Sequence, residues 1–365
     1  MLRVEHVDLL SLTAAEFIAR ASQFGEKRPA ALAHYREFFR RGTATPDWIT
    51  LKSATISECV NEGVTTKFTQ RIEDGLETET VILPYTSRSG RRRNTLCVSS
   101  QIGCAMGCTF YETARMGLMK NLSVARIVGQ WFAARFELET AIDNIVFMVM
   151  GEPMDNLDSV LGAIRIFTDA NGPAIAPSRI TVSTVGRIEG IRRFTRFADT
   201  DGLGSLRLAV SINAPNDAIR SDIMPLNRAE PMGELMKAML EWTKNRHRRV
   251  LIEYVLIPGV NDEPRHAREL CKYLKPLPCT VNVIAYNPRR DSPWPATTEE
   301  GMRSFTEHFA ACGQFVTRRQ IMGRSVMAAC GQLGNERIRN RRLVSGGFVS
   351  GGFVSGGMVD IGNAP

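Results

Sequence analysis

The sequence predicts an α/β fold: a partial TIM-type (β/α) barrel with a small N-terminal helical and β accessory region. Three observations predict it. From residue 94 onward, short apolar strands alternate with helical stretches, the pattern of parallel βαβ units. Six or seven such units fit the roughly 230 residues available, by the usual length of a barrel unit. Polar and special residues gather just after the strands, where a parallel barrel carries its chemistry. A doubly wound open sheet is the alternative.

Taken in order, residues 1–60 read as a helical accessory domain. "TAAEFIARASQFG" and "PAALAHYREFFRRG" space apolar residues by three and four and end at glycine. Residues 61–93 read as a β extension, with strands "TTKFTQRI" and "ETETVILP" around Asp74-Gly75, followed by the basic loop "SRSGRRRN". Residues 94–335 form the barrel core. Its strands are "TLCVSS", "DNIVFMVM", "RITVSTVG", "LRLAVSI", "VLIEYVLI", "TVNVIAYN" and "QFVTRR". Its helices include "SVARIVGQWFAARFEL", "LDSVLGAIRIFTDA", "MGELMKAMLEWTKN" and "EPRHARELCKYLK". Residues 336–365 are a basic run, then "VSGGFVSGGFVSGGM", a Gly/Ser-rich repeat that cannot bury a core and is expected to be disordered.

Composition narrows the function classes. A hydrophobic content of 44% with 23% charged residues is that of a globular protein, so cysteines are not needed to hold the fold. The net charge of +8 suits a polyanionic partner such as nucleic acid, although unrelated proteins share it. No secretory pattern opens the chain and no apolar run reaches membrane-spanning length. A cytoplasmic protein with no membrane partner is expected, with its eight cysteines reduced.

The candidate site residues fall at strand ends. Cys104 and Cys108 follow the first barrel strand in "CAMGCTFYETA"; alone they could be a metal loop lacking a ligand, a redox pair or buried thiols. Gly151 and Glu152 end the second strand, and Glu152 is either a helix N-terminal acid or a clamp for a ligand amine. Ser183 ends the third strand, and Ser211, Ile212 and Asn213 the fourth; as isolated residues the two serines read as helix caps. Asn287, before Pro288, could be a turn residue. Cys97 lies inside a strand, and Cys330 precedes a glycine in "MAACGQLGN". Cys59, Cys271, Cys279 and Cys312 have no motif partners, and none of the five histidines pairs with Cys104 or Cys108 in sequence.

Together these residues resemble the RlmN/Cfr family of radical S-adenosylmethionine RNA methyltransferases. "ETVILP", "LCVSSQIGCAMGC", "MGEPMDN", "ITVSTVG", "SINAPND", "IEYVLIPGVND", "NVIAYNP" and "AACGQL" occur in the family's order and spacing across residues 60–335. The resemblance implies a radical SAM barrel, S-adenosyl-L-methionine, and a [4Fe-4S] cluster held by Cys-x3-Cys-x2-Cys, with Cys104 and Cys108 as two of its ligands. It implies cofactor contacts from Gly151, Glu152, Ser183, Ser211, Ile212, Asn213 and Asn287. It makes Cys330 the methyl-carrying cysteine and Cys97 the second catalytic cysteine, which resolves the RNA adduct through a transient disulfide with Cys330. Glu79 becomes the proton acceptor; without the resemblance it reads as an exposed strand residue. The implied substrate is an adenine ring carbon, carbon 2 before carbon 8, in ribosomal and also transfer RNA. A flavodoxin-type protein is the implied electron donor. Radical chemistry suits a ring C–H that sulfonium displacement cannot reach.

The chain departs from the family at three positions. Tyr111 stands where the third cluster cysteine belongs, Val149 where the family has glycine, and Asn213 where some relatives have histidine. A phenol with a pKa of about 10 is a poor substitute for a cluster thiolate. Two functions of different class follow: an RNA methyltransferase, or a catalytically impaired RNA-binding relative. A zinc or dithiol redox protein lacks further ligands. "SRSGRRRN", "KNRHRR" and "ERIRNRR" are candidate phosphate contacts.

Overall fold

The computed structural model describes residues 7–43, 46–51, 54–87, 90–112, 116–245, 247–288 and 291–318. Cys330, the "ERIRNRR" run and the repeat tail 336–365 lie outside the described residues.

Two helices open the chain, α1 (Ala14–Ala21) and α2 (Arg28–Arg41). Thr13 and Glu16 form a capping box that satisfies free amides at the start of α1. Gly42, at φ +75°, ends α2 in the left-handed conformation. A short parallel pair, β1 (Val7–Asp8) and β2 (Ile49–Thr50), ties the ends of this region together. Phe17, Tyr35, Phe38 and Phe39 are buried, and Phe38 stacks on Phe132 with ring centroids 5.4 Å apart. The helical region therefore shares one continuous apolar core with the barrel.

Among the described residues the main sheet has ten strands. β3 (Thr55–Glu62), β4 (Thr65–Arg71), β5 (Glu77–Thr86) and β6 (Arg92–Val98) pair antiparallel. β6 then begins a parallel series with β9 (Asn144–Phe147), β10 (Ile180–Thr184), β11 (Arg207–Ser211), β12 (Val250–Leu256), β13 (Cys279–Ala285) and β14 (Val316–Arg318). β7 (Gln101–Cys104) and β8 (Gly117–Asn121) form a separate hairpin inside the cysteine loop.

Helices link the parallel strands: α3 (Val124–Phe132), α4 (Leu157–Thr168), α5 (Ile188–Ala198), α6 (Asp217–Ile223), α7 (Met232–Thr243), α8 (Pro264–Leu274) and α9 (Glu299–Ala311). One sheet face is apolar: Val250, Ile252, Tyr254 and Leu256 of β12 are fully buried. The opposite face carries Thr181, Ser183, Ser211, Glu253 and Asn282, matched by the strand register. A doubly wound sheet covers both faces with helices and reads apolar on both. The polar second face fits the concave interior of a partial barrel.

One local expectation changes. The helical reading of residues 1–60 stops early, because Thr55–Glu62 is the strand β3. Gly63, at φ +55°, turns β3 back onto β4, and β-branched Thr55, Ile56 and Val60 suit a sheet edge.

Candidate active site at the carboxyl ends of the parallel strands

The cysteine loop is built on a close backbone approach. Gly103 has φ +75°, and a Cβ there would lie 1.9 Å from the carbonyl oxygen of Gly117. Only glycine lets β7 and β8 meet, and this holds Cys104 beside the mouth of the barrel. Further along, the amide of Thr109 donates to the carbonyl of Ile223 at 2.9 Å. Cys108 is 3% exposed and belongs to a small apolar cluster with Phe110, Ile223, Met224, Val255 and Tyr286. Tyr111 packs against this cluster, its ring centroid 4.4 Å from that of Phe110.

Burial pushes the Cys104 thiol up to about 11, with the charges of Glu152 and Asp155 adding to it. Burial pushes Cys108 up to about 12, with the neighbouring Cys104 next in weight. Both groups are therefore thiols at neutral pH unless a metal ion holds them as thiolates. Among the described residues no group of three or more His, Cys, Asp or Glu converges to hold a metal ion. With Tyr111 in the third position, the donor set does not fit a cluster that needs three protein thiolates.

Glu152 is 2% exposed and joins two strand ends. One carboxylate oxygen accepts from the Met154 amide at 3.0 Å, as a helix N-terminal acid would. The other accepts from the Val185 amide at 2.9 Å, beyond the end of β10. Its own amide donates to the Gln101 side chain at 2.8 Å. Burial outweighs these hydrogen bonds and pushes the carboxyl up to about 7. Gly151 precedes it at φ +94°, and a Cβ there would lie 2.4 Å from the Gln101 Cβ.

The serines are not helix caps, which corrects the reading of them as isolated residues. The Thr184 hydroxyl accepts from the Gly186 and Arg187 amides in the turn before α5, whose N-cap residue Arg187 makes no side-chain cap, and Asn216 caps α6. Ser183 and Ser211 instead alternate onto the interior face near the ends of β10 and β11. Ile212 and Asn213 are fully buried. Asn213 has φ +55°, and its side-chain oxygen accepts from the Val255 amide at 2.8 Å. Asn287 is 4% exposed and follows β13.

Glu79 and Cys97 share one wall. Cys97 pairs with Val81 across β5 and β6, and Glu79 sits two residues before Val81 on the same face. Glu79 is fully buried and paired with Lys67 at 2.9 Å, not exposed. β5 lies between β4 and β6, and the register sets Lys67, Val81 and Cys97 on the same face as Glu79. Val149 is partly buried against the Cys97 cluster.

Arg220 was not foreseen. It is fully buried, and its guanidinium donates to the Ile212 carbonyl at 3.1 Å, to the Asn227 side chain at 2.8 Å, and to the Val185 carbonyl. It ties the ends of β10 and β11 beside Cys108. In sequence it is one arginine among polar residues of a short helix.

No family model matches the chain. Among curated proteins, the dual-specificity RNA methyltransferase RlmN of Marinobacter nauticus is 35% identical over 353 residues, covering 90% of this chain and 93% of that protein. The dual-specificity RNA methyltransferase RlmN of Halorhodospira halophila is 42% identical over 274 residues, covering 74% of this chain and 73% of its own. Among solved structures, a radical SAM methyltransferase from Sphaerobacter thermophilus superposes with a TM-score of 0.82 at 36% identity. That match covers 89% of this chain and 98% of the other. The chain belongs to the RlmN/Cfr family of radical S-adenosylmethionine RNA methyltransferases.

Proposed function

We propose that this chain is built to methylate a ring carbon of adenine in RNA, carbon 2 rather than carbon 8, with ribosomal RNA as the principal substrate and transfer RNA as a second. One observation supports the reading: Glu152 bonds the Val185 amide beyond β10 and lies close enough to raise both loop thiols, while Ser183 and Ser211 share one sheet face near the ends of β10 and β11. S-adenosyl-L-methionine is the cofactor, with Gly151, Glu152, Ser183, Ser211, Ile212, Asn213 and Asn287 as its contacts. Glu152 suits the cofactor's ammonium. Its carboxyl sits near 7, so an arriving cation favours the ionised form without a large proton cost.

Cys330 is assigned to carry the methyl group. Cys97 and Glu79 are assigned to resolve the RNA adduct and to accept the ring proton. A cytoplasmic site of action is part of the same proposal; no helix of the described residues is long and apolar enough to cross a membrane. A flavodoxin-type protein would supply electrons. Residues 94–335 are the catalytic unit in this reading, with the preceding segments as its accessory parts.

A second reading has its own observation. Tyr111 leaves the cysteine loop one thiolate short, and its ring is packed into the cluster beneath the loop. This copy would then bind cofactor and RNA with little turnover. Both readings are tested by anaerobic reconstitution with iron and sulfide, incubation with S-adenosyl-L-methionine, a chemical reductant and a ribosomal RNA fragment, and mass spectrometry of the nucleosides. Tyr111→Cys is expected to yield 2-methyladenosine and the natural chain far less. Absence of methyladenosine from both, or formation of 8-methyladenosine, would overturn the first reading. Equal yields from both would overturn the second.

A further inference from the structure

The opposite end of the barrel carries an arrangement that the methylation chemistry does not use. β10 is five residues long, so its amino end lies roughly 16 Å from the cofactor end. The strand register places Tyr85, Arg93, Asn144, Thr181 and Arg207 on the interior face there. With Arg179 they line a cavity of about 340 Å³. A second cavity of about 640 Å³ adjoins it, sharing Ser178, Thr181 and Arg207 and adding His247 and Arg249. Among the described residues no acidic side chain lines either cavity.

The positive charge is poorly compensated. Arg93 and Arg207 form no ion pair among the described residues. The Nε of Arg93 is buried and makes no hydrogen bond. A buried donor without an acceptor is rare and points to a ligand that supplies one. Among the described residues Arg179 pairs with Asp143 alone, at 3.7 Å, and Asp143 also accepts from the Asn94 amide at 3.0 Å. Arg249 donates to the Cys279 carbonyl, which carries no charge. Arg248 is different: it is paired with Asp199, stacked on Trp242, and structural.

The hydroxyl of Tyr85 accepts from Asn144 at 2.8 Å, leaving its proton free to donate, and its ring is 41% exposed. Guanidinium forks, hydroxyls and an amide around a site free of carboxylates match the oxygens of a phosphate group.

We propose that the amino-terminal mouth of the barrel is a phosphate-binding site, formed by Arg93, Arg179 and Arg207. Its source is a backbone phosphate of the RNA distant from the target base, or a free phosphate or diphosphate. The RNA form rests on the function proposed above, and the exposed Tyr85 ring, able to stack on a base, suits it.

The test uses the full chain and an RNA hairpin, with binding measured by fluorescence anisotropy across salt concentrations. Arg207 is exposed, so Arg207→Gln is not expected to disturb folding. Arg93→Gln is the second variant, and Arg268→Gln, on the exposed face of α8, is the control. Losing one phosphate contact lowers the slope of log K against log salt by about 0.7–0.9. Thermal melting with and without pyrophosphate forms the second arm.

A lower slope in Arg207→Gln and Arg93→Gln, with Arg268→Gln unchanged, supports an RNA phosphate. An unchanged slope, with pyrophosphate raising the Tm of the natural chain and not of the two variants, supports a free phosphate. Unchanged slopes together with the same pyrophosphate response in every chain overturn the site. If the natural chain binds no RNA, the RNA function fails on its own account. The pyrophosphate arm then decides the site by the same two outcomes.

Discussion

Tyr111→Cys separates what the cysteine loop was shaped to hold from what it holds now. In the present chain the Tyr111 ring packs against Phe110 at 4.4 Å, over an apolar cluster that includes Cys108, Met224 and Tyr286. Replacing it by cysteine removes an aromatic pair worth about 0.5–1.5 kcal/mol and part of a ring's buried area. The iron-free variant should lose about 2 kcal/mol of stability in total. For a chain of 365 residues that lowers Tm by about 2–3 °C.

The same change adds the third thiolate of Cys-x3-Cys-x2-Cys. After anaerobic reconstitution, the variant should hold about four irons per chain, the count of one [4Fe-4S] cluster. The natural chain should hold well under half of that and lose it on gel filtration. Iron and sulfide assays with visible absorbance give the loading, and calorimetry of the iron-free proteins gives the Tm. Full and equal loading of both chains would refute the account of Tyr111 as a missing ligand. An unchanged Tm would refute the packing argument.

Two further expectations concern the site's framework. Glu152 has its carboxyl raised from 4.5 to about 7, so between those values the folded chain binds more protons than the unfolded one, and stability falls as pH rises. The full effect is of order 3 kcal/mol; Glu152→Gln should remove this fall from melting curves taken between pH 4.5 and 7.5, and an unaltered slope would assign it to other groups. Gly103→Ala should disrupt the β7–β8 hairpin, because its Cβ would meet the Gly117 carbonyl oxygen at 1.9 Å in a left-handed backbone. Rapid proteolysis within residues 101–121 should accompany a stability loss of more than about 2 kcal/mol, and native protease resistance would show that the hairpin can shift.

Much of the architecture is local and therefore readable from sequence. The three-to-four spacing around Phe17 and Tyr35 marks α1 and α2, glycines 25 and 42 end them, and apolar runs such as "LRLAVSI" mark the parallel strands. The spacing of Cys104 and Cys108, and Gly151-Glu152 after a strand, are also local patterns, so these candidate residues could be named before any fold was known. Strand Thr55–Glu62 was not, because an edge strand of mixed polarity has no strong period until its partner β4 is known.

Which polar side chains are buried was decided only by the tertiary structure. Glu79 is fully enclosed on a face it shares with Val81 and Cys97, and Lys67, twelve residues away on β4, supplies its charge. Arg220 is buried because carbonyls from the ends of two distant strands turn toward it. Arg93, Arg179 and Arg207 meet at one mouth through the register of β6, β9, β10 and β11, although no sequence window contains them together. The sequence by itself determined the periods, the turns and the motif spacing, since these depend on neighbours along the chain. The fold alone determined which charges face one another, since that depends on neighbours across the sheet.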